Sequence, residues 1–402
     1  FKAEKIDGLF LPHCNFGTEY ECARLAKELN VPVLLWGPLD ERPDENGVRL
    51  RDTQCGLFAT GKVLRRFRIP FTYMTNCRLN DPVFERGIRD FMAVCNVVKK
   101  FKNMRILQIS TRPFDFWTTM CNEGELLEKF NIQLSPIPMP ELTDEVKKVK
   151  KEGTEVAKVI DYCRSNMIVE IKDEELENVA ALKVAMKNLI TKYGCQAGAI
   201  QCWNQLQSEL GIMPCAANAL LNEEGIPVVC ETDIHGAITA LMVEAAGMGE
   251  ARSFFADWTI RHPDIKTVSC FSTADRGRSQ LPEKLRRLHI RWLLTIRVQS
   301  LQRQSTETLL WRGLTVIMEN ILCFSEMQKV WTVQKEWEPI CGLRWITSTS
   351  GSEDRRGPYI HHCVGIHKDV VPVLYEACKY IGIKPDLYDP VEEDVKAYLR
   401  GE

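Results

Sequence analysis

Two carboxylates, Glu231 and Asp233, follow the apolar run Ile226-Pro-Val-Val-Cys230. If that run continues as a strand, the two-residue spacing puts both acids on one face. A pair of oxygen donors there suits a hard divalent cation such as Mn²⁺ or Mg²⁺. The same acids stand just before Gly236-Ala-Ile-Thr239, where a carboxylate caps the free N–H groups of a helix start. Spacing alone leaves both readings open. Far downstream, His361-His362 follows Gly357-Pro-Tyr-Ile360. Imidazole ligates first-row metals, but neighbours in a strand point to opposite faces, so at most one of the pair is expected in a given site. One exposed histidine beside one satisfied core histidine is the alternative. His235 is expected to contact substrate or back a ligand rather than ligate, because a helix-start position two residues past Asp233 faces elsewhere. Trp203 or Trp36 would give a bound substrate an apolar wall, with a core role as the alternative.

The elements that must position these groups alternate. Strands are expected at Gly8–Pro12, Val31–Trp36 and Pro70–Met74, with helices at Thr18–Leu29 and Leu57–Phe67 between them. Apolar runs alternating with amphipathic helices imply parallel strands and crossovers. The pattern restarts after the turn residues Asn80-Asp81-Pro82, with strands at Met104–Ile109 and Ile132–Met139. Charged helices lie within Glu141–Arg164 and Asp173–Tyr193, most simply solvated faces. A strand is expected over Ala197–Trp203, a short helix over Ala216–Leu221, a buried strand over Ile226–Cys230 and a helix from Ala237 to about Ala246. In open α/β folds ligands gather where strands end and helices begin, which directs attention to Glu231 and Asp233. Gly56-Leu-Phe-Ala-Thr-Gly61-Lys62 matches most of a P-loop, but Val63 replaces the Ser or Thr that binds Mg²⁺ and no apolar strand leads into it.

Composition narrows the classes. A formal net charge of −2 over 402 residues gives no electrostatic reason to expect nucleic acid or an anionic membrane as partner. No apolar run reaches the roughly 18 residues of a membrane span. The 16 cysteines are scattered without a Cys-x-x-Cys pair, so reduced, buried thiols in the cytosol are expected rather than a disulfide framework or a zinc knuckle. The chain opens at Phe1 with a strand almost at once, and the expectation is that its natural start lies further upstream; a trimmed terminus is the alternative.

Residues 267–356 change character. Five of the nine tryptophans fall there, arginine crowds the first half, and neither period 2 nor period 3.6 persists. A basic surface insertion is one reading. The genetic code suggests another. Reading Lys266 to Arg276 from the third base of the lysine codon permits Asn-Gly-Glu-Leu-Leu-Gln-His-Cys-Gly-Pro. The same shift over Glu336–Thr347 permits Met-Gly-Thr-Tyr-Leu-Trp-Val-Glu-Val-Asp-Asn, which alternates like a half-buried strand. The expectation is a reading-frame change entering near Lys266 and leaving near Gly357. An unshifted resequenced gene would end it.

Several strings together resemble the L-fucose/L-arabinose isomerase family, in its L-fucose isomerase-like branch. They are Asp7-Gly-Leu-Phe-Leu-Pro-His-Cys-Asn-Phe-Gly17, Val31-Pro-Val-Leu-Leu-Trp-Gly37, Cys55-Gly-Leu-Phe-Ala-Thr60, Pro214-Cys-Ala-Ala-Asn218, Val229-Cys-Glu-Thr-Asp-Ile-His-Gly236 and Gly357-Pro-Tyr-Ile-His-His362. The shifted-frame His-Cys-Gly-Pro is similar to that family too. The resemblance implies an α/β chain of two Rossmann-like parallel-sheet domains and a β-rich, barrel-like C-terminal domain. Here these fall at 1–82 (partial), 83–228 and 229–402, the last disrupted over 267–356. It implies a cytoplasmic, homo-oligomeric enzyme that isomerises an aldose to a ketose through a cis-enediol. A Mn²⁺-type ion would be held by carboxylates at Glu231 or Asp233 and by His361 or His362, with Asp233 and Glu231 dividing the roles of ligand and base. The family's other carboxylate aligns roughly with Asn218 or Gln201, and Glu209 is a weak substitute. The expected substrate is a free sugar of the L-fucose, D-arabinose or L-arabinose type, or a modified hexose. The rival expectation is a non-catalytic sugar-binding remnant or an inactive pseudogene product.

Overall fold

The computed structural model describes residues 1–167, 169, 171–261, 269–273, 332–334, 339–342, 360–366, 368–385, 387 and 392–402. Near the N-terminus, β1 (Leu9–Pro12), α1 (Glu19–Leu29), β2 (Val33–Trp36), α2 (Thr53–Arg66) and β3 (Thr72–Tyr73) form a parallel sheet in the order β1-β2-β3. Leu9, Leu11, Val33 and Leu35 pack with Ala23 and Ala26 of α1 and with Leu57 and Leu64 of α2. The P-loop-like string lies inside α2, where Gly56 lets the helix close on the Phe16 carbonyl.

The helix α3 (Pro82–Phe101) links two cores. Its Phe91 and Cys95 pack with Leu34 and Trp36 of the first sheet, while Val94, Val97 and Phe101 enter the core of a second. That second sheet is parallel, in the order β5-β4-β6-β7, from β4 (Arg105–Ile109), β5 (Gln133–Ile137), β6 (Ala197–Ile200) and β7 (Val228–Val229). The expected alternation of strand and helix is therefore present in both parts, and the α/β reading holds. The helices α4 (Glu123–Phe130), α5 (Met139–Glu152), α6 (Thr154–Asn166), α7 (Asp173–Lys192), α8 (Gln207–Leu210) and α9 (Cys215–Glu223) connect these strands. A single helix was expected within Glu141–Arg164. The structure breaks it into α5 and α6 at Gly153, whose φ of +73 stops α5.

The helix α10 (Ile234–Gly247) is the centre of the molecule, with thirteen of its fourteen residues buried. A helix apolar on every side must be covered on every side. The second sheet and α3 cover part of it. The rest is covered by an antiparallel sheet in the order β12-β8-β9, from β8 (Ser253–Arg261), β9 (Ser269–Thr273) and β12 (His362–Ile366). A further pair, β10 (Thr332–Gln334) and β11 (Pro339–Gly342), is also antiparallel. After β12, α11 (Val371–Ile381) packs on α3 and reaches the first sheet, where Tyr380 donates to the Val33 carbonyl at 2.9 Å. The terminal α12 (Glu392–Arg400) follows. Most of 267–356 lies outside the described residues, and with it the expected reading-frame change and much of the expected barrel-like domain. Among the described residues no helix is long and apolar enough to cross a membrane.

Candidate active site

The second sheet delivers three chain segments to one place at the carboxyl ends of its strands. After β6 the chain leaves strand geometry. Trp203 was expected to end that strand. It lies instead in an irregular turn, Cys202–Leu206, in which Asn204 adopts φ 64. After β7 the chain turns at once. Glu231 and Thr232 both take left-handed backbone conformations, φ 51 and 53, costing roughly 1–2 kcal/mol each. The turn is held by Thr232 N–H on the Ile200 carbonyl, Asp233 N–H on the Cys230 carbonyl and Thr232 Oγ1 on the Thr111 carbonyl, each at 3.1 Å. The expected strand geometry for Glu231 and Asp233 is thus corrected. They converge because the turn folds them together, not because a pleat alternates.

The helix was expected to start at Ala237 but starts at Ile234, so Asp233 is its N-cap and accepts from Gly236 N–H at 3.0 Å. The capping role that spacing left open is present, and the same side chain also reaches His362. Its Oδ1 caps α10 and its Oδ2 lies 2.9 Å from His362 Nδ1. Gly236 is required at this close approach: a Cβ there would sit 2.7 Å from the Phe255 ring and 2.9 Å from Asp233 Oδ2.

His362 opens β12 and is fully buried beneath the Phe255 ring. Its Nε2 lies 3.1 Å from Glu231 Oε2, and neither of these buried atoms has any other hydrogen-bond partner. Nε2 is also 3.7 Å from Oδ1 of Asp257. Asp257 is directly opposite His362 in the β8–β12 ladder, which brings the two side chains to one face. No sequence reading singled it out. The signal available was a carboxylate inside the apolar run Phe254-Phe-Ala-Asp-Trp258.

His361 precedes the ladder, so strand alternation does not govern it. Its ring centroid is 4.3 Å from that of His362, and donor atoms of Asp257, His361 and His362 all lie within 4.8 Å of one another. The expectation that only one histidine could enter is corrected: one is buried in the site and the other stands at its open side. Phe116 packs between His361 and Trp203, at centroid distances of 6.2 and 5.7 Å. Trp203, expected as an apolar wall, also donates its indole N–H to Glu231 Oε1 at 2.8 Å. His235, in the first turn of α10, is buried, and its charge bears on Asp233. Trp36 belongs to the core under the first sheet. Of the positions considered for the missing carboxylate, Asn218 is buried with its amide on Cys230 Sγ, Gln201 accepts from Ser110, and Glu209 is exposed on α8.

The electrostatics follow from the packing. Burial works against charge on His362, but its hydrogen bonds and proximity to Asp233 and Glu231 outweigh it and push the imidazole up to about 10. Burial would raise Asp233, yet the His362 contact, His235 and the Gly236 N–H together hold it below the usual carboxylate range. Asp257 is raised to about 6, by burial first, against the pull of His362 and with the push of Glu231 and Asp233. His361 is lowered by burial and by the His362 charge. A carboxylate held near neutrality beside two opposed groups is an arrangement capable of proton transfer.

Residues 1–102 match the model of the fucose/sulfoquinovose isomerase N-terminal domain. Over 252 residues the chain is 25% identical to the sulfoquinovose isomerase of Priestia aryabhattai, covering 62% of this chain and 55% of that protein. Over 223 residues it is 26% identical to that of Alkalicoccus urumqiensis, covering 55% and 49%. A sulfoquinovose isomerase of Clostridium sp. (strain MSTE9) is 22% identical over 234 residues, covering 58% and 52%. The chain spans about half the length of the curated relatives it matches.

Proposed function

We propose that this chain, which belongs to the fucose isomerase-like family, carries the centre of a metal-dependent aldose–ketose isomerase acting on a free sugar. One observation carries the reading: Glu231 Oε2 and His362 Nε2 face each other at 3.1 Å, both buried and neither with any other hydrogen-bond partner. Buried polar atoms are normally satisfied. Two donors sharing a cation at about 2.1 Å would stand roughly 3 Å apart, so these residues fit a divalent ion of the Mn²⁺ type. Glu231 and His362 would hold it, the remaining positions falling to water or sugar oxygens. When bound, such an ion polarises the sugar carbonyl and acidifies the adjacent C–H.

The chain's own residues do the rest. Asp233, with both oxygens engaged, fixes the His362 ring so that Nε2 faces Glu231, a positioning role. Trp203 fixes the Glu231 carboxylate from its other side. Asp257 is the partly exposed carboxylate of the three, and we assign it the proton that passes between C2 and C1. His361 and Phe116 line the open side, where an apolar ring face and an imidazole suit a polyol. The protein is expected to be cytoplasmic and homo-oligomeric.

Incubating the metal-free chain with Mn²⁺ and, in turn, L-fucose, D-arabinose, L-arabinose and sulfoquinovose, with ketose formation followed by NMR, tests the proposal. Conversion lost in both E231Q and H362N supports it. Sugar binding by calorimetry without conversion of any of the four would favour the binding-remnant reading.

A further inference from the structure

Behind the proposed isomerase centre lies a second donor cluster of different chemistry. Cys202, Cys230 and Glu231 are all buried, and their donor atoms lie within 4.8 Å of one another. Cys202 comes from the irregular turn after β6, Cys230 from the end of β7, and Glu231 from the left-handed turn that follows. Cys202 Sγ is 3.2 Å from Glu231 Oε1 and also accepts the Glu231 backbone N–H at 3.4 Å. Asn218, fully buried, places its amide 3.5 Å from Cys230 Sγ, and its Oδ1 has no partner. Glu231 is thus two-sided. Its Oε2 faces the imidazole of His362, while its Oε1 accepts the Trp203 indole N–H and faces the Cys202 sulfur.

From this geometry we infer a second metal site, formed by Cys202 Sγ, Cys230 Sγ and Glu231 Oε1, that takes a thiophilic divalent ion such as Zn²⁺. Zinc accepts sulfur at about 2.3 Å and carboxylate oxygen at about 2.0–2.2 Å in tetrahedral array, so its donors stand roughly 3.3–3.8 Å apart. The Sγ–Oε1 separation of 3.2 Å is already close to that spacing. Two thiols and one carboxylate leave one position open, as in zinc sites with an exchangeable fourth ligand. Binding balances as two thiols and Zn²⁺ giving a zinc dithiolate and two protons released to solvent. Softness divides the two sides: sulfur selects zinc, whereas the imidazole–carboxylate side suits Mn²⁺. Glu231 is shared with the isomerase reading, but the two sulfur ligands belong to this site alone, so their loss tests it separately.

Co²⁺ reports on it directly, since thiolate ligation gives a near-ultraviolet charge-transfer band that imidazole and carboxylate ligation do not. Titrating Co²⁺ into the full metal-free chain is expected to raise this band, and Zn²⁺ to abolish it. The band should persist in H362N, which removes the isomerase metal ligand, and be lost in C202S and in C230S. Co²⁺ binding to the wild-type chain without the band, or a band surviving in C202S, overturns the inference. If the serine variants fail to fold, X-ray absorption of the Zn²⁺-loaded wild-type chain decides alone. Sulfur scatterers at about 2.3 Å support the site, and an oxygen- and nitrogen-only shell refutes it.

Discussion

His362 Nδ1 lies 2.9 Å from Asp233 Oδ2, joining residues 129 positions apart, and the same carboxylate caps α10 through its other oxygen. One side chain thereby ties the start of the central helix to the start of β12. The cluster around His362 is assembled by this bridge, so the bridge is the first place to test.

Asp233→Asn separates the two roles. Asparagine caps a helix about as well as aspartate, so thermal stability should fall little. Losing the charge that orients His362 should weaken Mn²⁺ binding by about 10–100-fold, read by calorimetry. Asp233→Ala should do the same and also lose about 0.5–2 kcal/mol of stability with the cap. Unchanged Mn²⁺ affinity in Asp233→Asn would remove Asp233 from the site.

The metal-free chain should lose stability as pH rises above neutral. The folded chain holds the His362 proton more tightly than the unfolded chain, about 10 against 6.5. That contribution is fully present below pH 6.5 and drains away as pH climbs toward 10. Urea unfolding in excess chelator across this window should show the decline, and it should flatten in His362→Gln. A wild-type profile no steeper than the variant's would contradict the placement of the imidazole between two carboxylates.

Asp257→Asn should leave Mn²⁺ affinity near that of the parent chain while lowering kcat by about 10²–10⁴-fold, the usual worth of a positioned proton carrier. Glu231→Gln should instead abolish tight Mn²⁺ binding. If the two variants exchange these signatures, the assignment of carrier and ligand is reversed.

Trp203→Phe keeps the aromatic packing but deletes the indole N–H that Glu231 accepts. Hydrogen bonds to charged groups contribute about 1.5–3 kcal/mol, and the freed carboxylate should raise the Mn²⁺ dissociation constant correspondingly. Phe116→Ala should act differently, raising KM for sugar with Mn²⁺ affinity unchanged. A variant pair with identical profiles would show that neither residue acts as described.

Gly236→Ala inserts a methyl into space already claimed by Phe255 and Asp233. Overpacking of this kind costs about 1–3 kcal/mol, so the melting temperature should fall despite alanine's better helix propensity. A stabilised variant would mean that the helix start can shift to admit the methyl.

Much of this protein was settled by local pattern. A run such as Val33–Trp36 is apolar on both faces because parallel strands are covered on both sides, so the alternation of strand and helix declared an α/β chain. Glu231 and Asp233 stood out because acids rarely end a buried strand without a task, and the paired histidines stood out by type. What the sequence could not carry was the geometry between segments. The left-handed turn at Glu231–Thr232 is imposed by hydrogen bonds to Ile200 and Thr111, neither of them a neighbour in the chain. Asp257 enters the site only because β8 and β12 pair in the register that sets it opposite His362. Trp203 and Cys202 meet Glu231 only because β6 and β7 lie side by side in the second sheet. Residue types and periods are local properties of the chain. Register, turn and convergence arise from contacts between distant segments, and those exist only after the core around α10 has closed.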